Sequence, residues 1–147
     1  MALKQALAAA LATGLATMAI AARLEYFEES LPTTLNPLYA SSMVDYRAQE
    51  LVFDRLWYHD PITNNLESRL VERWEVAEGG KAVKLTLRPG IKWHNGKNLT
   101  SKDVCFTVNA MLNRSTPSPI AEAYRQVLAG CDTQGNQTAL VRFTRVY

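Results

Sequence analysis

The chain is poor in the residues from which metal centres and thiol chemistry are built. Its 147 residues include only two cysteines and two histidines. Neither His59 nor His94 has a second histidine or a cysteine at the spacing that a metal site needs. A P-loop, a G-x-S-x-G element and a dinucleotide-binding glycine motif are also absent. We therefore expect no metal, no cofactor and no catalytic residue, and we predict that the protein is not an enzyme.

A strong excess of charge is absent as well. Charged residues make up 20% of the chain, hydrophobic residues 48%, and the formal net charge is +2. This composition is ordinary for a soluble globular protein. No basic helix and no stripe of aromatic and basic residues accompanies it, so we expect no nucleic-acid partner. We also expect a monomer.

The N-terminal stretch differs in composition from the rest. Lys4 is followed over residues 6–20 almost entirely by Ala, Leu, Met, Thr and Gly. This run is short for a membrane span, and it ends in a small-x-small pattern, so we predict a signal peptide over residues 1–21, cleaved after Ala21. A buried Ala-rich helix and an uncleaved anchor are the alternatives. No cysteine lies near the cut, so we expect a free periplasmic protein rather than a lipid-anchored one.

The two cysteines leave two alternatives open. Cys105 falls on a predicted helix and Cys131 near the start of a later strand. Two cysteines in an exported chain can form a disulfide, and a bridge across about 26 residues would add roughly 3 kcal/mol of stability in the chain-entropy model. Two buried thiols that pack as small hydrophobic groups are the other alternative.

The most informative segment begins with a strand. Apolar and polar residues alternate over residues 83–88, which is typical of a half-buried strand. Pro89-Gly90 is expected to end it, because proline cannot donate a ladder hydrogen bond and glycine permits positive φ. Trp93 lies between polar neighbours, so we expect its side chain to fill a hole. Asn95-Gly96 predicts a tight turn.

A helix is predicted directly after this turn. Thr100 and Asp103 have the spacing of a capping box, with Asp in the place of Glu or Gln. The residues that follow form an apolar stripe at helical spacing, namely Val104, Val108, Met111 and Leu112. We interpret the whole segment as a structural strand–turn–helix corner and not as a site of chemistry.

The remaining elements follow from simpler patterns. We predict an amphipathic helix over residues 45–56 whose apolar face consists of Ala48, Leu51, Val52 and Leu56. A short hairpin begins near Tyr58, and a hairpin turn spans residues 78–81. A second short helix is predicted over residues 120–128, and a last strand over residues 140–144.

The order of these pieces resembles the bacterial extracellular solute-binding proteins of family 5, the peptide- and nickel-binding subunits of ATP-driven ABC importers. The densest matches are Leu35-Asn36-Pro37, Trp74-Glu75, Leu87-Arg88, Lys92-Trp93, Gly96 and Asp103-Val104. The resemblance implies a mixed α/β fold: the incomplete first lobe of a periplasmic-binding-protein-like type II fold, with strand hairpins and two or three short helices.

The resemblance also implies a function. Family members bind an extended peptide between two lobes, through main-chain hydrogen bonds, and deliver it to an inner-membrane permease. Carried over to this chain, the segments that line the ligand map to Ser41, Ser42 and Met43, and to Ile120 after a Ser-Pro pair. For the serines, a plain helix N-terminus is the alternative interpretation.

The family's members are much longer than this chain. We therefore expect residues 22–147 to be an N-terminal fragment of the solute-binding lobe, with the second lobe absent. A remnant that binds nothing, and a secreted interaction domain that needs a missing second half, are the alternatives. Because the last predicted strand would lack its neighbours, we expect an exposed edge, an exposed apolar face and marginal stability.

Overall fold

A computed structural model describes Glu25 and residues 27–146. The predicted signal peptide over residues 1–21 lies outside the described residues. The helices are α1 (Met43–Glu50), α2 (Ser101–Leu112) and α3 (Ala121–Val127). The strands are β1 (Tyr58–His59), β2 (Leu66–Glu67), β3 (Val71–Ala77), β4 (Ala82–Leu87), β5 (Leu128–Gln134) and β6 (Thr138–Phe143). Among the described residues, no helix is both long and apolar enough to cross a membrane.

Four of the strands form one antiparallel sheet in the order β3-β4-β6-β5, while β1 and β2 form a separate hairpin. The expectation that the last strand lies at an edge is therefore wrong, since β6 lies between β4 and β5. The prediction failed because it gave β5 no bounds and did not pair that strand with β6. That strand alternates poorly between apolar and polar residues and contains Gly130, so it lacks the pattern from which a strand is inferred.

One face of the sheet carries the hydrophobic core. Leu85 and Leu87 of β4, Val71 of β3 and Ala139 of β6 are essentially inaccessible to solvent. Helix α2 covers this face with Val104, Cys105 and Val108. A disulfide joins Cys105 on α2 to Cys131 on β5. Of the two alternatives, a disulfide or two buried thiols, the structure therefore contains the disulfide. The helix and the strand it covers are thus linked both by packing and by a covalent bond.

The strand–turn–helix corner is confirmed in most respects. Strand β4 ends before Pro89-Gly90, and Gly90 and Gly96 have φ values of 78° and 80°, as the two turns require. The carboxylate of Asp103 accepts hydrogen bonds from the Thr100 N–H at 2.7 Å and from its hydroxyl at 2.9 Å, and this capping arrangement starts α2. Trp93 differs from the expectation, because 39% of its surface remains exposed.

The first helix is shorter than predicted and buries a different face. It begins at Met43, because Ser42 caps it. It ends at Glu50, and the N–H groups of residues 52 and 53 both donate to the Gln49 carbonyl oxygen. Its buried side chains are Val44, Asp45 and Gln49, whereas Leu51 and Val52 are exposed. The predicted apolar face is wrong because two polar side chains occupy the buried positions.

Candidate functional site

Residues 33–42 lie at the start of α1, where they are hydrogen-bonded to the side-chain carboxylate of Asp45. The side chain of Asp45 accepts hydrogen bonds from four backbone N–H groups, those of Thr33 (2.7 Å), Thr34 (3.3 Å), Ser41 (3.3 Å) and Ser42 (3.2 Å). The Thr33 hydroxyl contacts both carboxylate oxygens at 3.1 Å. Two separate stretches of the segment, one at residues 33–34 and one at residues 41–42, are therefore tied to the same side chain.

Burial and hydrogen bonding act on the pKa of Asp45 in opposite directions. The residue is 0% exposed, and burial alone would raise the pKa because it disfavours the charged form. Hydrogen bonds from the N–H groups of Thr33 and Ser41, from the Ser42 side chain and from the Thr34 N–H outweigh that effect and hold the pKa well below its usual value. Asp45 is therefore ionised at neutral pH, and its negative charge lies in the first turn of α1, where the helix dipole favours it.

Gln49 provides a second polar anchor one turn further along α1. Its side-chain amide is buried and donates to the carbonyls of Thr34 and Asn36, both at 3.3 Å. Asn36 in turn accepts from the Leu38 N–H at 3.0 Å and begins a short 3-10 turn over Pro37–Tyr39. The Leu35-Asn36-Pro37 segment is thus held by side chains of α1, and it leads directly into Ser41.

The first proposed ligand-contact segment lies at the start of α1. The Ser42 hydroxyl accepts the Asp45 N–H at 3.1 Å and completes a capping box, so this hydroxyl caps α1. Ser41 is exposed, and in the described part of the chain its hydroxyl makes no hydrogen bond to protein. Met43 is 66% exposed. Two of the three side chains therefore remain available to a ligand.

Met43 also lines a shallow, mostly apolar groove of about 600 Å³ on the outside of α1. Tyr46 and Leu51 continue its apolar surface, and charged residues surround it: Glu28, Arg47, Glu50 and Arg55. Arg47 makes two hydrogen bonds to Glu28, and Arg55 forms an ion pair with Glu50. No local pattern in the sequence links position 28 to α1, so the groove could not be predicted.

The second proposed segment lies before α3. Ile120 is half-buried and precedes the first residue of the helix. The loop in front of it is held by Arg125, which donates to the carbonyls of Asn113 and Thr116 at 3.1 and 3.2 Å. Ser118 is buried, and its hydroxyl has no partner within the described residues. None of the described hydrogen bonds of residues 41–43 reaches Ile120.

A second concave surface lies at the strand–turn–helix corner. It has a volume of about 490 Å³ where the end of β4 meets the turn between β5 and β6. Its polar lining includes Arg88, Asn98, Asn136 and Gln137, and it contains neither an acidic residue nor a histidine. The surface offers hydrogen bonds but no group suited to acid–base catalysis near neutral pH. No pattern in the sequence brings these residues together.

The two cysteines and His59 could have carried thiol or acid–base chemistry, but each makes a structural contact instead. Cys105 and Cys131 are both used in the disulfide. His59 lies in the β1–β2 hairpin, where its Nδ1 is 3.2 Å from the Asn64 carbonyl oxygen. Within Glu25 and residues 27–146, no cluster of three His, Cys, Asp or Glu side chains is arranged to hold a metal ion.

Solved structures identify the class of fold. The oligopeptide-binding protein AppA from Bacillus subtilis, in complex with a nonapeptide, matches with a TM-score of 0.72 at 25% identity, over 78% of this chain and 22% of that one. NikZ from Campylobacter jejuni, in complex with Ni(L-His), matches with a TM-score of 0.69 at 22% identity, over 81% of this chain and 23% of that one. At that identity the second likeness shows the fold alone. The chain therefore has the mixed α/β architecture of part of a type II periplasmic binding protein.

The sequence identifies the family within this class. The chain belongs to the bacterial extracellular solute-binding proteins, family 5 (middle), whose family model matches residues 65–145. The dipeptide-binding protein of Escherichia coli is 31% identical over an alignment of 119 residues, which covers 73% of this chain and 22% of the relative. The oligopeptide-binding protein AppA of Bacillus subtilis is 26% identical over 111 residues, 76% of this chain and 20% of the relative. The chain thus spans about a fifth of the length of these curated relatives.

Proposed function

We propose that this chain is part of the substrate-binding component of an ABC-type peptide importer. In this role it binds an extended peptide without altering it and delivers it to a permease in the inner membrane. Membership of family 5 is the observation that carries the proposal. The names of two relatives specify a dipeptide and an oligopeptide as ligands, which makes a short peptide the solute to test first. No catalytic residue and no cofactor enter this function.

We propose Ser41, Ser42, Met43 and Ile120 as contacts to the peptide. The Asp45 carboxylate supports this assignment, because it fixes the backbone at Ser41 and Ser42 before any ligand arrives. A segment that is already ordered loses little conformational entropy on binding. The Ser41 hydroxyl is then free to hydrogen-bond the peptide main chain.

Met43 and Ile120 suit the other requirement of a peptide carrier, which is tolerance of different side chains. Methionine is flexible and polarisable, and it adapts to apolar groups of different shape. Its exposed position beside the α1 groove gives a peptide side chain an apolar surface to cover. Ile120 offers a smaller, half-buried apolar contact.

Isothermal titration with a pool of di- to pentapeptides tests the proposal. Binding to the unmodified chain is the expected result, and Met43→Ala and Ile120→Ala are each expected to weaken it by about threefold to thirtyfold, as for the loss of an apolar contact. Ile62→Ala is the matched control, because Ile62 is 91% exposed in the β1–β2 hairpin. A chain that binds none of the peptides contradicts the proposed function, and equal effects of all three substitutions contradict the assigned contacts.

A second candidate function follows from the short match to the relatives. The chain covers 22% of the Escherichia coli dipeptide-binding protein, and a cleft between two lobes closes only when both are present. The chain would then bind peptide only with a complementary polypeptide. Co-expression with the remaining portion of that relative distinguishes the two candidates, because peptide binding should appear only in the co-expressed sample if the second is correct.

We further propose that the protein is exported to the periplasm through cleavage of residues 1–21. The apolar composition of that stretch and the extracellular character of the family support this location. Expression in a two-membrane bacterium, followed by N-terminal sequencing of the periplasmic fraction, is expected to give a chain that starts at Ala22. A chain that keeps Met1 in the membrane fraction would contradict the proposal.

A further inference from the structure

The strand–turn–helix corner carries a local excess of positive charge. Residues 88–102 contain no aspartate and no glutamate, whereas the whole chain has 16 Lys and Arg against 14 Asp and Glu. Four cations fall in this segment, and each of them is exposed: Arg88, Lys92, Lys97 and Lys102. The rest of the chain is therefore acidic on balance, and the positive excess is concentrated at one corner of the fold.

The corner cations lack the carboxylate partners that several arginines have elsewhere in the structure. Ion pairs with Asp or Glu are formed by Arg47, Arg55, Arg69, Arg73, Arg125 and Arg142. Among the residues that the structure describes, no ion pair joins a carboxylate to any of the four corner cations. Asp103, which follows the segment directly, is engaged by the N–H and hydroxyl of Thr100. The charge of the corner is thus not neutralised within the fold.

Two of the four cations share a tight hairpin with a tryptophan. Lys92 is bridged to Asn98, and the Trp93 N–H donates to the Lys97 carbonyl oxygen at 2.8 Å. Trp93 and Lys97 are therefore neighbours across the hairpin, and the tryptophan keeps 39% of its surface exposed. The turn is fixed by the Gly96 N–H, which donates to the Trp93 carbonyl oxygen at 2.9 Å. Tryptophan beside basic residues is the combination that favours the boundary between a membrane and water.

Arg88 lies in the concave surface of about 490 Å³ beside this hairpin. Amide side chains line the same surface, among them Asn98, Asn136 and Gln137, and none of its described lining residues is acidic. A guanidinium group binds phosphate oxygens through charge-assisted hydrogen bonds, and amide groups can bond to hydroxyls. The surface therefore suits the phosphate and hydroxyl groups of an anionic phospholipid headgroup.

We propose that this corner binds the anionic surface of a phospholipid bilayer, with the four cations at the headgroups and Trp93 at the interface. Attraction of this kind is reversible and is weakened by salt, because it acts within a Debye length of the surface. The chain would thus remain a free protein that is concentrated beside the membrane. None of the proposed peptide contacts lies in residues 88–102, so the proposal is independent of the peptide site.

Co-sedimentation of the full chain with vesicles tests the proposal. One set of vesicles is phosphatidylcholine alone, and about a third of the lipid in the other is phosphatidylglycerol. The ratio of the two partition coefficients isolates the effect of headgroup charge, because any binding through the apolar residues 6–20 contributes to both. The ratio should be about a hundredfold at low ionic strength and should approach one at about 0.5 M salt.

Charge variants with a matched control locate the surface. Lys92→Gln/Lys97→Gln should lower the ratio about twentyfold, because each cation near an anionic membrane contributes about fivefold. Lys81→Gln/Arg114→Gln is the control: it removes the same charge from exposed positions at the far ends of β4 and α2, and it should change the ratio less than about twofold. Trp93→Ala should weaken binding to the anionic vesicles about threefold to tenfold. Circular dichroism of each variant separates a loss of binding from a loss of folding.

Four results would overturn the proposal. They are equal partition into the two kinds of vesicle, a control variant that lowers the ratio as much as Lys92→Gln/Lys97→Gln, a Trp93→Ala variant that binds unchanged, and a chain that binds polyglutamate but no anionic vesicles. The last would identify an acidic polypeptide as the partner. Peptide titration is a separate measurement, since a chain that binds anionic vesicles and no peptide contradicts only the proposed function.

Discussion

Reduction of the disulfide between Cys105 and Cys131 is expected to lower the free energy of unfolding by about 3.5 kcal/mol. The bond links α2 to β5 across a sequence separation of 26 residues. In the chain-entropy model, a closed loop of this length removes roughly 12 cal/mol/K from the unfolded chain, which is about 3.5 kcal/mol at 25 °C. Both cysteines are buried in the core, so reduction leaves two packed thiols and no cavity.

Urea denaturation followed by tryptophan fluorescence measures this effect. One sample is reduced with a phosphine in urea and refolded, and the other is kept oxidised. With a slope of about 1.5 kcal/mol/M, the reduced chain should unfold at a urea concentration about 2 M lower. The double variant Cys105→Ala/Cys131→Ala is the control, because it should not respond to the reductant.

Two results would contradict the reasoning. Reduced and oxidised chains that unfold within about 0.3 M urea of each other would show that the bond restricts the unfolded chain far less than the entropy model requires. A sharp transition at high urea in the reduced chain would contradict the marginal stability expected from the sequence, because packing alone would then hold the fold. The second result would also identify the β4 core, and not the covalent link, as the main source of stability.

Three further predictions concern single side chains. Leu85→Ala removes a fully buried side chain from the centre of the sheet and should cost about 2–5 kcal/mol in the same urea assay. Thr100→Ala removes the residue that caps α2 and should cost about 1 kcal/mol, measured as a lower midpoint. Asp45→Asn should destabilise the chain at neutral pH. Because the pKa of Asp45 is lowered by folding, its contribution is present above a pH of about 4 and declines below it, so melting temperatures of the two proteins should converge in acid.

The corner from β4 to α2 could be predicted because its signals are local. The alternation in residues 83–88 and the glycines at positions 90 and 96 each determine the backbone within a few residues. The pair Thr100 and Asp103 needs only a spacing of three to cap a helix. Patterns of this range require no knowledge of which strands pair, so the sequence alone was sufficient there.

The sheet order could not be predicted in the same way. Strand β6 is central because β5, which precedes it, folds back on its outer side through the turn at Gly135. That arrangement depends on contacts between residues far apart in sequence, chiefly those of β4 with β6. The disulfide partners were correctly named as an option, but the choice between bond and free thiols required the positions of α2 and β5.

The proposed contacts at the start of α1 rest on the resemblance, because no physical pattern in the sequence points to them. Serine is strongly preferred at the start of helices, so the presence of Ser41 and Ser42 at this position does not by itself indicate a ligand. The buried partner of both, Asp45, is a charged residue, and periodicity assigns charged residues to the solvent side. Here the charge is buried because four N–H groups converge on it. A segment held in this manner keeps its exposed side chains free, and that is the property a ligand-contact segment requires.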